Sequence, residues 1–85
     1  MVPLFYKEFK KKSSKLPVKI QGHFYERLEL FLKDPTNRTL SNHSVEKTFP
    51  NGRSINITGD YRAIYKEEGD TVIFITIGTH SELYK

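Results

Sequence analysis

The chain has 85 residues and no cysteine, enough for one small domain (residues 1–85) whose folding removes only about 60% of the surface its unfolded form exposes. Disulfide staples and thiolate metal centres are excluded, so stability must come from the core or from a bound partner. A net charge of +4, from 14 Lys and Arg against 10 Asp and Glu, argues for a polyanionic or acidic partner, and no apolar run approaches the ~20 residues of a membrane span.

Met1-Val2-Pro3-Leu4-Phe5 leads directly into charged residues without the apolar core of a signal peptide, so a cytoplasmic location is expected. Lys7, Lys10, Lys11, Lys12, Lys15 and Lys19 then crowd one stretch in which Glu8 is the lone acid. Lys10, Lys11 and Lys12 at its centre are candidates for contacts with a polyanion; a solvated helix face is the alternative. Phe5 and Phe9, four apart, predict a first helix over residues 5–13. Pro17 suits a first helical turn, and Ile20, Phe24, Leu28 and Phe31 or Leu32 recur at helical spacing until Asp34-Pro35 stops them, which predicts a second helix over residues 17–33. The two form a hairpin.

Residues 36–42 are polar and predict a loop. The period then falls to two. Val45 and Phe49 alternate with Glu46 and Thr48, Pro50-Asn51-Gly52 turns the chain, and Ile55 and Ile57 alternate with Ser54, Asn56 and Thr58. Gly59-Asp60 makes a second turn, residues 61–66 a third strand, residues 67–70 a third turn, and residues 71–77 a strand apolar on both faces and therefore central. The expected fold is α+β: a helical hairpin packed on a small antiparallel meander sheet. A three-residue turn at Thr58-Gly59-Asp60 sets Asn56 opposite Arg62 and leaves Ile55 and Ile57 on the other face with Tyr61 and Ala63. A two-residue turn would drive Arg62 into the isoleucine face, where an unpaired guanidinium is costly. The sheet thus has a greasy side for the helices and an open side bearing Asn56 and Arg62. The central strand ends at Gly78 and presents His80 and Tyr84 at the rim of a rigid sheet, which points to chemistry.

Leu40-x-x-His43, Gly52-Arg53-Ser54-Ile55, Gly59-Asp60-Tyr61-Arg62-x-x-Tyr65 and Gly78-Thr79-His80-Ser81-Glu82-Leu83-Tyr84, preceded by a basic helical hairpin, resemble the RelE/ParE superfamily of toxins, and the YafQ-like branch most closely. The resemblance implies a RelE-like domain acting as the toxin of a type II toxin–antitoxin pair, a ribosome-dependent endonuclease of messenger RNA. Its implied partners are a cognate antitoxin, bound in a higher-order hetero-oligomer, and the ribosome with its message. It further implies that His43, Asp60 and His80 belong to the active site, with Arg62 as a phosphate-binding cation and Tyr84 near the scissile nucleotide. Where that branch often carries a histidine on the middle strand, this chain has Asn56, which hydrogen-bonds but transfers no proton at neutral pH. The family usually opens with a short strand, and only Val2-Pro3-Leu4 remains to supply it.

Metal-free RNA cleavage needs a base for the 2′-hydroxyl, a cation for the charged phosphorane and an acid for the leaving 5′-oxygen; histidine suits both proton-transfer roles. His80 leads on that ground. Asp60 can orient a histidine or act as a base, and Gly-Asp is equally an ordinary turn pair. Arg62 offers a planar fork to a phosphate, or else a cross-strand ion pair to Glu46 or Asp60, and Arg53 is a second candidate for the phosphate role. Tyr84 can stack on a base or pack on the sheet. The scattered His43, Asp60 and His80 lack the spacing of a metal site, so neither metal nor other cofactor is expected. Two rivals stand beside the nuclease: a ParE-like toxin that inhibits gyrase by binding, and a catalytically impaired, antitoxin-binding homologue for which Asn56 is the one hint.

Overall fold

Pro17 and Asp34 frame the longest helix. In the computed structural model, which describes residues 1–84, α2 runs Val18–Lys33 with Pro17 as its N-cap, one residue before the first helical turn expected for it. The Pro17 carbonyl accepts from the Ile20 and Gln21 amides, and the Gln21 side chain donates back to the Leu16 carbonyl at 2.8 Å. Periodicity fixes which face turns inward: Phe24 and Phe31 are fully buried, while Val18 and Tyr25 lie on the solvent side. The first helix, α1, is Lys7–Ser14 and is shorter than expected, because Phe5 belongs to a strand.

That strand, β1 (Val2–Phe5), is present and pairs parallel with β5 (Thr71–Thr79), Phe5 beside Phe74. The spacing of Phe5 and Phe9 mimicked a helical stripe because the two rings do meet, at 5.3 Å between centroids, but across a strand-to-helix corner. β2 (His43–Ser44), β3 (Arg53–Asn56) and β4 (Tyr61–Glu68) complete a five-stranded sheet in the order β1-β5-β4-β3-β2. The sheet is therefore mixed, antiparallel except at its β1 edge. The expected strand at Val45–Phe49 is instead a compact turn, in which the Val45 carbonyl accepts from Thr48 and Phe49. Its closure requires Gly52, since a Cβ there would stand 2.7 Å from the Phe49 carbonyl oxygen. A short 3₁₀ turn, Arg38–Leu40, interrupts the predicted loop and buries Leu40.

Asn56 pairs with Arg62 and Ile55 with Ala63, the register of the three-residue turn. One face of the sheet carries Ile55, Ala63, Tyr65, Phe74 and Ile77 into the core with Phe9, Phe24, Phe31 and Leu40. Phe74 and Ile77 share that face despite their odd spacing because β5 bulges: Ile64 pairs with Thr76 and Tyr65 with Phe74, leaving Ile75 as the extra residue. The second face is not open as expected. A third helix, α3 (His80–Leu83), folds back over it, so that a Cβ on Gly78 would meet Glu82 and Leu83, and Ile64 and Thr76 beneath are buried.

Tyr65 anchors the sheet to the loop before β2. Its buried hydroxyl accepts from Asn42 Nδ2 at 2.7 Å, and burial raises its pKa above the usual 10.0, outweighing the hydrogen bond from Asn42 and the charge of Arg53. A phenol whose folded pKa is raised contributes stability that is complete below its unfolded pKa and lost as pH rises through the folded value. Denaturant melts should accordingly show stability falling steeply above about pH 10, and Tyr65→Phe should flatten that slope while lowering stability at pH 7 by about 1 kcal/mol. An unchanged alkaline slope in Tyr65→Phe would assign the effect to another group.

Candidate active site

Three separate chain segments meet at the second face. The register sets His43 opposite Ser54 and Asn56 opposite Arg62, so all four project to one side of the sheet. α3 brings the fifth and sixth residues. Together with Ser41, Ser44 and Val45, the side chains of His43, Asn56, Arg62, His80 and Tyr84 line a cleft of about 410 Å³. No carboxylate lines it among the described residues. Its wall is made of hydrogen-bond donors, imidazoles and one guanidinium, a setting for an anion.

Each group is held in a definite way. His43 Nδ1 lies 2.7 Å from the Ser41 carbonyl oxygen. A carbonyl can only accept, so Nδ1 carries a proton, and of the two neutral tautomers the contact selects the one with its lone pair on Nε2. Ser41 reaches this position through a left-handed backbone, φ 46°, an uncommon conformation for a residue with a side chain. Arg62 makes no ion pair among the described residues, with neither Glu46 nor Asp60. Its Nη1 donates instead to the carbonyls of Thr58, Gly59 and Tyr61 at 3.0 to 3.1 Å, which locks the turn and fixes one corner of the fork.

α3 is built by a capping box. The Thr79 hydroxyl accepts from the Glu82 amide at 3.3 Å, and Glu82 Oε1 accepts from the Thr79 amide at 2.8 Å. Thr79-x-x-Glu82 is a sequence signal for this helix, a capping residue followed three positions later by a glutamate. The His80 amide donates to the Asp60 carbonyl at 3.0 Å, tying α3 to the β3–β4 turn. One helical turn later the Tyr84 ring packs against the His80 ring, tilted by 48° with 4.7 Å between centroids. The Tyr84 hydroxyl is buried and has no hydrogen-bond partner among the described residues.

The remaining sequence candidates lie elsewhere. Asp60 sits exposed at the turn, its backbone carbonyl holding His80 while its side chain stays out of the cleft lining. Arg53 pairs with Tyr65 and so projects to the opposite face from Arg62. Lys10 and Lys11 are exposed on α1, and neither lines the cleft. Lys12 is half-buried and donates to Thr76 Oγ1 at 3.0 Å, close beneath α3. His23 stays on α2, 4.0 Å from Glu26. Among the described residues no helix is long and apolar enough to cross a membrane.

No protein-family model matches the chain and no curated protein matches it. Solved structures do. The chain is similar to YafQ from E. coli, at 19% identity and TM-score 0.80 over 98% of this chain and 97% of that one. It is similar to RelE in the RelB–RelE antitoxin–toxin complex from Methanococcus jannaschii, at 26% identity and TM-score 0.74 over 95% and 94%. A YoeB/ParE toxin from Agrobacterium tumefaciens superposes with TM-score 0.76 at 12% identity over 94% and 99%. The chain has the fold of the RelE/ParE toxins, YafQ among them, as its terminal Gly-Thr-His-Ser-x-Leu-Tyr motif suggested.

Proposed function

We propose that the chain is the toxin of a type II toxin–antitoxin pair and cuts messenger RNA on the ribosome, without metal, by internal attack of a 2′-hydroxyl. The observation that carries this reading is the convergence of His43, His80, Arg62, Asn56 and Tyr84 on one cleft free of carboxylates among the described residues. Two imidazoles and a guanidinium are the minimum set for the reaction. His43, with Nδ1–H engaged by Ser41, offers Nε2 to take the proton of the 2′-hydroxyl. The freed oxygen bonds to phosphorus, and Arg62 stabilises the charge that develops on the non-bridging oxygens. His80 gives its proton to the 5′-oxygen as its bond to phosphorus breaks. The products are a 2′,3′-cyclic phosphate and a 5′-hydroxyl.

Tyr84 contributes position. Its ring packs against His80 and steadies it at the cleft wall. Asn56 donates or accepts hydrogen bonds beside Arg62 and takes no part in proton transfer. Asp60 acts through its carbonyl, which sets the His80 backbone. The cleft is small beside a strand of message, so the ribosome supplies much of the alignment of a flexible RNA.

The antitoxin partner follows the same line: structures of the same fold include RelB–RelE and DinJ–YafQ complexes. The test of the whole reading is a translated message incubated with purified protein, with and without ribosomes. Cleavage is expected on the ribosome, and Arg62→Gln should reduce its rate by about 10² to 10³, with a lowered melting temperature because the hydrogen bonds to the Thr58, Gly59 and Tyr61 carbonyls go with the guanidinium. Intact message alongside inhibited gyrase would favour the ParE-like rival instead.

A further inference from the structure

Arg53 is a cation with a built environment and no role in the cleft. Its Nε donates to Asn42 Oδ1 at 2.8 Å, and the same amide donates through Nδ2 to the Tyr65 hydroxyl at 2.7 Å and to the Pro35 carbonyl at 2.9 Å. Asn42 thus holds the guanidinium by its inner nitrogen, with the Tyr65 hydroxyl also within hydrogen-bond reach of the fork. Among the described residues no carboxylate forms an ion pair with Arg53. It lines a second cavity of about 380 Å³ with Thr36, Asn42, Tyr65 and Glu67. A preorganised, half-buried arginine that forms no ion pair among the described residues, with the Glu67 carboxylate in the same cavity wall, is suited to a planar oxyanion of low charge.

The position of this cavity says which oxyanion. Arg53 and Arg62 lie on opposite faces of the β3–β4 pair, one on each side of the two-residue edge strand β2. The depressions between them share walls: Ser44 lines both the catalytic cleft and a third depression, whose wall also holds Glu46, and Arg53 and Glu67 line both that depression and the second cavity. We infer that Arg53, oriented by Asn42 and Tyr65, forms a second phosphodiester-binding site, which takes a backbone phosphate of the strand bound in the catalytic cleft after that strand has passed around the β2 edge. The inference rests on the nucleolytic reading for its ligand and on Arg53's own surroundings for its existence. Glu67 in the cavity wall tunes the choice. Repulsion from its carboxylate scales with ligand charge, so a singly charged diester is favoured over a doubly charged terminal phosphate.

The first arm of the test uses dimethyl phosphate, a diester with no base or sugar, added to the full chain labelled with nitrogen-15. Saturable shifts are expected at the Arg53 Nε–H and Asn42 Nδ2 resonances, stronger than with inorganic phosphate; no shift at either would overturn the proposal. The second arm measures affinity for 2′-O-methyl oligonucleotides, which cannot be cut by internal attack, as a trinucleotide and as a 12-mer of about four times that length. Arg53→Gln should weaken the longer strand about tenfold and reduce its salt slope by about one, while the trinucleotide changes by less than about twofold. Arg53→Lys should fall between, Glu67→Gln should tighten the longer strand, and thermal melts confirm that each variant folds. Equal weakening of both lengths by Arg53→Gln would place Arg53 in the support of the fold and overturn the second site. Shifts with dimethyl phosphate in a protein that binds neither oligonucleotide would keep the anion site and sink the nucleolytic reading.

Discussion

Replacing His80 by alanine should rescue growth of cells that otherwise stop dividing when this chain is expressed alone. His80 is exposed at the mouth of the cleft, its amide tied to the Asp60 carbonyl and its ring against Tyr84. Truncating it removes the ring but none of the backbone hydrogen bonds that hold α3, and the capping box through Thr79 and Glu82 is untouched. The fold should therefore survive. Loss of one positioned general acid lowers a rate by about 10² to 10⁴, enough to convert growth arrest into near-normal growth at equal protein levels. The check pairs a growth curve with a circular dichroism melt of the purified variant. A folded His80→Ala protein that still arrests growth would remove His80 from the chemistry and point to inhibition by binding.

The second large effect is on stability. Phe74 is fully buried at the centre of an aromatic cluster, with Phe5, Phe9, Phe24, Phe31 and Tyr65 all within 6.0 Å between ring centroids. It joins β1, α1, α2 and β4 to β5, on which it lies. Phe74→Ala should cost about 3 to 5 kcal/mol, the transfer of the ring plus the cavity left behind. A chain of this length is stable by roughly 4 to 13 kcal/mol in all, so the variant should be largely unfolded at 37 °C or lose tens of degrees in melting temperature. Phe74→Leu, which keeps most of the volume, should cost less than half as much. A loss below about 1 kcal/mol for Phe74→Ala would mean that the aromatic cluster is not the centre of the core.

What sequence reasoning could and could not reach follows from how local each signal is. α2 was legible because Phe24 and Phe31 repeat on one face and Pro17 and Asp34 mark its ends. The pairing of Asn56 with Arg62 was legible because the alternative register buries a charge. β1 was not, since a four-residue strand with a proline owes its existence to a parallel neighbour almost seventy residues away. Val45 to Phe49 alternates like a strand, but Glu46 accepts from the Asn51 amide and Gly52 allows a close turn, so local hydrogen bonds override the pattern. The site was half legible for the same reason. Residue types marked Arg62, His80 and Tyr84 as candidates and the family resemblance marked His43, while the side of the sheet to which Arg53 and Asp60 belong depends on register and turn geometry.

The most direct test of the central claim is the chemistry of the cut ends. Message cleaved on ribosomes by the purified protein is recovered, and its new termini are identified by enzymatic labelling and mass spectrometry. Fragments are also scored from an arm with free RNA in excess EDTA, where any slow cleavage should persist. Internal attack through His43 and His80 predicts a 2′,3′-cyclic phosphate, or the 3′-phosphate it hydrolyses to, and a 5′-hydroxyl. A 5′-phosphate on the downstream fragment, or cleavage of free RNA that requires added divalent metal, would contradict the account.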